Sequence, residues 1–304
     1  MEPQQTVPTF QRLKDQETEP QSTWDDHTNE TEAGPSCQMI GFTGAKGGVG
    51  TTTLALNVAM ALVQADKKVI YVELSPHAGT AAGLLKMPQT LALGDSSAHL
   101  DDINKDFVTQ LLMQHSTGLK VLCLSPWAQK VGYQISTEFL TVLFGELKKL
   151  SDYLVLDFPL EPSLPSMFFL AQCHILDLVM ETDPNCISLA KSRLAFIQSH
   201  STTPIFLTPV NRSGLPHADG LNGIQEQLGY EVPVLIPPAP ELCHTASVKG
   251  LPIVCIKPNS VPALHFTQLS DRILSHFTED SSKSKRTRRG RDRRKTDRRN
   301  QEAW

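Results

Sequence analysis

The sequence predicts an α/β fold: a single doubly wound, mainly parallel sheet with helices on both faces, flanked by disordered tails. Three observations carry that prediction. Seven short runs rich in Val, Ile and Leu show no polar alternation, as expected of strands covered on both sides. Most are separated by stretches with helical spacing of apolar residues. The first run leads into a glycine-rich turn and then a helix, a unit that belongs to parallel α/β sheets.

In chain order, residues 1–36 hold eight acids and two bases, few aliphatic residues and no periodicity. Such a segment cannot bury enough apolar surface to offset its ordering entropy, so an acidic disordered arm is predicted. The strand runs are Met39–Thr43, Val69–Glu73, Val121–Leu124, Tyr153–Asp157, Ile175–Met180, Ile205–Thr208 and Val232–Ile236. Between them, Leu54, Val58, Ala61 and Leu62 share one helix face, as do Phe107, Leu111 and Leu112, and again Phe139, Leu143 and Leu147. A last helix is expected from about Val261 to Phe277. Residues 281–304 form a basic disordered tail, with eleven Lys and Arg against two Asp in 283–299. The part between the tails, residues 37–280, is long enough for one large core that buries about three-quarters of its chain surface. The formal net charge of −4 over 304 residues therefore conceals an acidic arm and a basic tail.

Several classes are set aside. No apolar run reaches the roughly 18 residues needed to span a bilayer, and the acidic N-terminus lacks the pattern of a secretory signal. The six cysteines (Cys37, Cys123, Cys173, Cys186, Cys243, Cys255) are scattered without a CxxC pair, which predicts reduced, buried thiols in a cytoplasmic protein rather than zinc or disulfides. The sequons at Asn29 and Asn211 are expected to be unmodified there. There is no HExxH or GxSxG. Cys173 and His174 are adjacent, and side chains one apart do not face each other. Asp101 and Asp102 read as acids at a helix start, where the dipole favours them.

The segment MIGFTGAKGGVGTTTLALNVAMAL, residues 39–62, carries the chemistry. Gly47, Gly48 and Gly50 allow a tight turn with backbone N–H groups pointing inward. Together with the N-terminus of a helix starting near Thr51, they make an anion site suited to phosphate. Thr52 stands where a hydroxyl would ligate Mg²⁺.

KGGVG followed by TTT at a first strand–helix junction resembles the deviant Walker A loop of the MinD/ParA superfamily of P-loop ATPases. YLVLDFP (153–159) is similar to that family's second acidic motif, PVNRSG (209–214) to its Asn-Arg stretch near the base, and VPVLIPPAPELCHTASVKGLPIV (232–254) to its Pro-containing base-side loop and helix. Within the superfamily, SDYLVLDFPL and HSTGLKVLCLSP (115–126) are most similar to CpaE/TadZ proteins, localisation ATPases of pilus assembly. The resemblance implies ATP and Mg²⁺ as cofactors. It assigns nucleotide contacts to Lys46, Gly47, Gly48, Val49, Gly50, Thr51, Thr52, Thr53, Asn211, Arg212 and Pro237. Magnesium falls to Thr52 and, through water, to Asp157. Lys46 corresponds to the family's signature lysine, the catalytic cation that reaches across an ATP-bound homodimer; binding phosphate within its own chain is the alternative.

Two positions depart from the family pattern. Thr51 occupies the place of the second loop lysine, whose charge-assisted contact is worth about 1.5–3 kcal/mol. In VELSPHAGT (72–80), Glu73 retains the first acid and Ser75 replaces the second, which would orient the attacking water, with His77 a weaker substitute. Phosphoryl transfer depends on positioning and charge stabilisation, so weak or absent hydrolysis is expected. The implied function is an ATP-binding, dimerising localisation or assembly factor that serves a pilus or secretion machine, cytoplasmic and, in one form, peripheral at the inner membrane or cell pole. An active ParA-like partition ATPase and a BcsQ-like accessory of cellulose secretion are the alternatives. The tail at 283–299 has no apolar face; as a polycation it would bind nucleic acid or anionic lipid, or pair with the acidic arm, and a solvated tail with no specific partner is the alternative.

Overall fold

The computed structural model describes residues 37–74, 80–87, 100–123, 137–161, 164–210 and 220–279. The arm, the tail, Ser75, His77, Asn211 and Arg212 lie outside the described residues, as does the sequon at Asn29.

The elements run β1 (Gln38–Gly44), α1 (Thr51–Gln64), β2 (Val69–Glu73), α2 (Thr80–Leu84), α3 (Lys105–Leu111), β3 (Met113–Gln114), β4 (Lys120–Cys123), α4 (Thr137–Lys149), β5 (Tyr153–Asp157), α5 (Leu164–Leu170), β6 (Ile175–Glu181), α6 (Pro184–Gln198), β7 (Ile205–Val210), α7 (Gly220–Leu228), α8 (Pro240–Lys249), α9 (Ile253–Ile256) and α10 (261–279). Among the described residues, seven strands form one sheet in the order β3-β4-β2-β5-β1-β6-β7. Every pairing is parallel except β3 with β4 at one edge. No described helix is long and apolar enough to cross a membrane.

β1 lies between β5 and β6, with Phe42 opposite Asp157 on one side and Asp177 on the other. Because strand side chains alternate, this register sorts the two faces. Tyr71 and Asp157 face α1, where Thr52 bonds Asp157. Gly41 faces the other layer: a Cβ there would stand 2.4 Å from Leu176, 2.8 Å from Phe158 and 2.9 Å from Cys173, so the close approach of that layer requires glycine.

Helix α1 is more enclosed than its predicted single apolar face. Leu54 through Leu62 are all buried, Asn57 included. Asn57 is accommodated because its amide donates to Thr53 O at 2.8 Å and its carbonyl accepts from Val254 N–H at 3.1 Å, tying α1 to α9. Phe139, Leu143 and Leu147 form the buried stripe of α4 as expected, and Phe144 stacks on Phe169 of α5.

Three expectations are corrected. Val232–Ile236 is not a strand. It makes only an isolated bridge at Ile236, beside one at Glu231, because Pro233 brings no N–H to a ladder. Asp101 and Asp102 lie in a 3₁₀ turn, Leu100–Asp102. The helix after it is capped instead by Asn104, which accepts from Asp106 and Phe107 N–H, and ends before Leu112. Cysteine burial is mixed: Cys37, Cys173 and Cys186 are buried, Cys123 and Cys255 half-buried, Cys243 exposed, and none forms a disulfide.

Candidate functional site

Gly44, Glu73, Asp157, Glu181 and Val210 are the last residues of β1, β2, β5, β6 and β7. A parallel sheet thus delivers them to its carboxyl edge, where ligands of such folds bind. The glycine loop connects that edge to α1. Gly48 and Gly50 have φ of 76° and 97°, a left-handed backbone that glycine adopts without cost. Gly50 is the N-cap of α1 and supplies no side-chain cap, so the helix's first N–H groups are not closed off by one of its own side chains. A Cβ on Gly44 would fall 2.8 Å from Thr51 Oγ1 and 2.9 Å from Lys46 O, which makes glycine necessary at the loop's start as well.

Two cavities meet at this loop. The first, about 440 Å³, is lined by Gly44, Lys46, Gly47, Gly48, Gly50, Thr51, Thr52 and Thr53, with Glu73, Thr80, Leu84, Asp157, Phe158, Pro159 and Leu160 opposite. The second, about 400 Å³, is mainly apolar: Val49, Leu54, Val210, Ile236, Pro237, Pro238, Ala239, Ile253, Pro262 and Phe266 surround it, with Cys243 at its wall. Gly48, Gly50 and Thr53 line both. Of the residues singled out in the sequence, Lys46 to Thr53, Asp157 and Pro237 are therefore gathered around one loop. Val210, immediately before the undescribed Asn211 and Arg212, lines the apolar side.

The acidic wall is deeply buried. Asp157 Oδ2 accepts from Thr52 Oγ1 at 2.6 Å and from Tyr71 Oη at 2.8 Å. Burial pushes its carboxyl up to about 7, opposed by those two hydrogen bonds. Glu73 Oε1 accepts from Thr80 and Ala81 N–H at 2.8 and 3.2 Å, at the start of α2, while Oε2 is buried without a hydrogen-bond partner. Burial raises the Glu73 carboxyl too, against the lowering pull of the Ala81 N–H, the Cys123 thiol and the Thr80 N–H. Among the described residues no group of three or more His, Cys, Asp or Glu forms a metal centre by itself. The donor set here is different: one hydroxyl and two carboxylates, all hard oxygens, with an unsatisfied Glu73 oxygen among them. That set suits Mg²⁺, which takes few protein ligands and keeps its waters.

Two acids at the site give no sign of their role in the sequence. Lys46 Nζ lies 2.7 Å from Glu181 Oε2 and 3.8 Å from Asp183 Oδ2. The hydrogen bond to Glu181 raises the lysine's basicity, keeping it a cation. Elsewhere, Cys173 donates to Phe169 O while His174 Nδ1 accepts from Met39 N–H, so the adjacent pair makes separate backbone bonds. A third buried carboxylate, Asp177, accepts from Thr208 Oγ1 at 2.8 Å and leaves Oδ1 unpartnered; burial pushes it up to about 7.

Comparison with known proteins agrees with this geometry. The family model described as an AAA domain matches residues 37–172. A ParA family ATPase from Chlorobium tepidum superposes with a TM-score of 0.67 at 19% identity, covering 78% of this chain and 98% of that one. The fold is that of the MinD/ParA superfamily. The MinD/ParA likeness extends to the septum site-determining protein MinD of Pyrococcus horikoshii, solved in complex with Mg-ADP, at a TM-score of 0.60 and 18% identity over 78% of this chain and 96% of that one. A putative septum site-determining protein MinD of Emiliania huxleyi is 23% identical over 252 residues, 80% of this chain and 89% of the relative.

Proposed function

We propose that this chain binds Mg²⁺–ATP at the glycine loop and acts as a nucleotide-dependent switch with little or no turnover. The observation that carries the reading is the wall the two cavities share at Gly48, Gly50 and Thr53: a cleft lined by the glycine loop and Lys46, for phosphates, adjoins an apolar one that suits a base. Loop N–H groups and the N-terminus of α1 bind the phosphate oxygens. Thr52 ligates Mg²⁺ and Asp157 holds its shell through water; Glu73 Oε2 adds an oxygen to the same wall. The bound Mg²⁺ supplies neutralisation of phosphate charge. Asn211, Arg212 and Pro237 flank the base.

Slow hydrolysis follows from two residues. Thr51 offers a hydroxyl packed toward Gly44 where a cation would stabilise the transferring phosphoryl group. Ser75 lacks the charge that orients an attacking water. In this reading residues 1–36, 37–280 and 281–304 are arm, nucleotide-binding domain and tail. The chain dimerises on ATP, with Lys46 meeting phosphate either across the dimer or within its own chain, and places a pilus or secretion machine from the cytoplasmic side of a membrane or a cell pole. Calorimetric titration of the full chain with Mg²⁺–ATP, beside a turnover assay, tests this. Binding without appreciable turnover is expected. Turnover at the rate of a partition ATPase, abolished by Lys46→Ala, would replace it with the partition reading, and absence of binding would remove both.

A further inference from the structure

Lys46 lines the phosphate-side cleft, but its ammonium is hydrogen-bonded to Glu181 and ion-paired at 3.8 Å with Asp183, two carboxylates that do not line it. We infer that Glu181 and Asp183 are positioning residues that hold Lys46 in a parked state, so that a phosphate ligand must win the lysine away from them. The inference deepens the nucleotide reading and rests on it, with Lys46 meeting the phosphates bound in its own chain's cleft.

The acidic pair is fixed in place and the lysine is not. Glu181 ends β6, and its N–H donates to Cys186 Sγ at 3.1 Å. Asp183 caps α6: its Oδ1 accepts from Cys186 N–H at 3.0 Å, with Pro184 in the first turn. Its Oδ2 is buried with no hydrogen bond, and the Lys46 ammonium at 3.8 Å is its cationic neighbour. Lys46 instead carries its ammonium on a long flexible stem directly before Gly47 and Gly48, with no cap bond of the kind that holds Asp183, so it is the member of the cluster that can swing. An ammonium shared between Glu181 and a polyphosphate would bring like charges together, so the two are competing anions for one cation. Asp183 adds a weaker second pull at its greater distance. Parking thus sets a threshold: weak anions leave Lys46 on the strand end, whereas a ligand with several phosphate charges withdraws it.

The test is calorimetric titration of the full chain with Mg²⁺–ADP and with Mg²⁺–tripolyphosphate at low salt, comparing wild type, Glu181→Gln, Asp183→Asn and both changes in a Lys46→Ala background. Glu181→Gln is expected to bind both probes about two- to fivefold more tightly, the range of a partly exposed ion pair. Asp183→Asn should gain less; it keeps the helix cap, since Asn caps as well as Asp, and serves if the first variant fails to fold. Without Lys46 both gains should vanish, an outcome that a merely structural role for the acids would not produce. Wild-type binding with no gain in either variant, or a gain that survives Lys46→Ala, overturns the parking inference alone. No binding by any form overturns the nucleotide reading, and parking with it.

Discussion

Asp177 gives the clearest thermodynamic prediction. It is 1% exposed, holds one hydrogen bond from Thr208, and has its carboxyl raised from 3.8 to about 7. A folded-state pKa above the unfolded one means that the native chain binds the extra proton. Stability from this group is full below about 3.8 and is lost as pH rises to about 7. Each pH unit in that window is worth about 1.4 kcal/mol per proton, so between pH 5 and pH 8 this one residue should cost about 2–3 kcal/mol. Asp157 titrates in the same window, so wild type should lose about twice that amount. Asp177→Asn replaces the protonated acid with a neutral group of the same shape that can still accept from Thr208. Urea unfolding at closely spaced pH values should show the pH 5 to 8 loss reduced by about 2–3 kcal/mol in the variant, with the two curves converging toward acid. Parallel curves, or a steeper fall in Asp177→Asn, would refute the assignment of the proton to this side chain.

Other perturbations test the frame and the loop. Asn57→Ala strands the Val254 N–H inside the core, while the Thr53 carbonyl keeps its helical bond, and should cost about 1–3 kcal/mol in chemical denaturation. Gly41→Ala forces a methyl among Leu176, Phe158 and Cys173 and should cost about 1–3 kcal/mol or prevent folding, seen as a lowered Tm. Tyr71→Phe removes a donor to Asp157, so carbon-detected NMR titration should find that carboxyl above its wild-type value of about 7. Thr52→Val should weaken nucleotide binding in the presence of Mg²⁺ far more than with EDTA, because the hydroxyl's proposed partner is the metal.

The parallel strands were readable because burial on both faces leaves uninterrupted Val, Ile and Leu, and the glycine loop because its conformation restricts residue choice. The misread run at 232–236 shows the limit of apolarity as a signal: Val232, Val234 and Ile236 look like a strand, yet Pro233 denies it a donor. β3 has no sequence signal because two residues, Met113 and Gln114, carry no period. At the site, Thr52 and Asp157 were legible from local motifs. Glu181 is not, because its bond to Lys46 joins residues 135 apart in sequence, and nothing in the strand run Val69–Glu73 marks Tyr71 as a donor to Asp157. The signal that was available, the Asp-Pro step at 183–184, announces a helix start and says nothing about a lysine.

The enclosure of α1 has a mechanical corollary. With Leu54 to Leu62 packed on every side, the helix is a strut that can neither roll nor slide without opening the core. Displacement imposed at the phosphate end must therefore be absorbed upstream of Thr53, in the few loop bonds around Gly47, Gly48 and Gly50. Stiffening those bonds, rather than altering the helix behind them, is the route by which a single substitution would freeze the protein in one state.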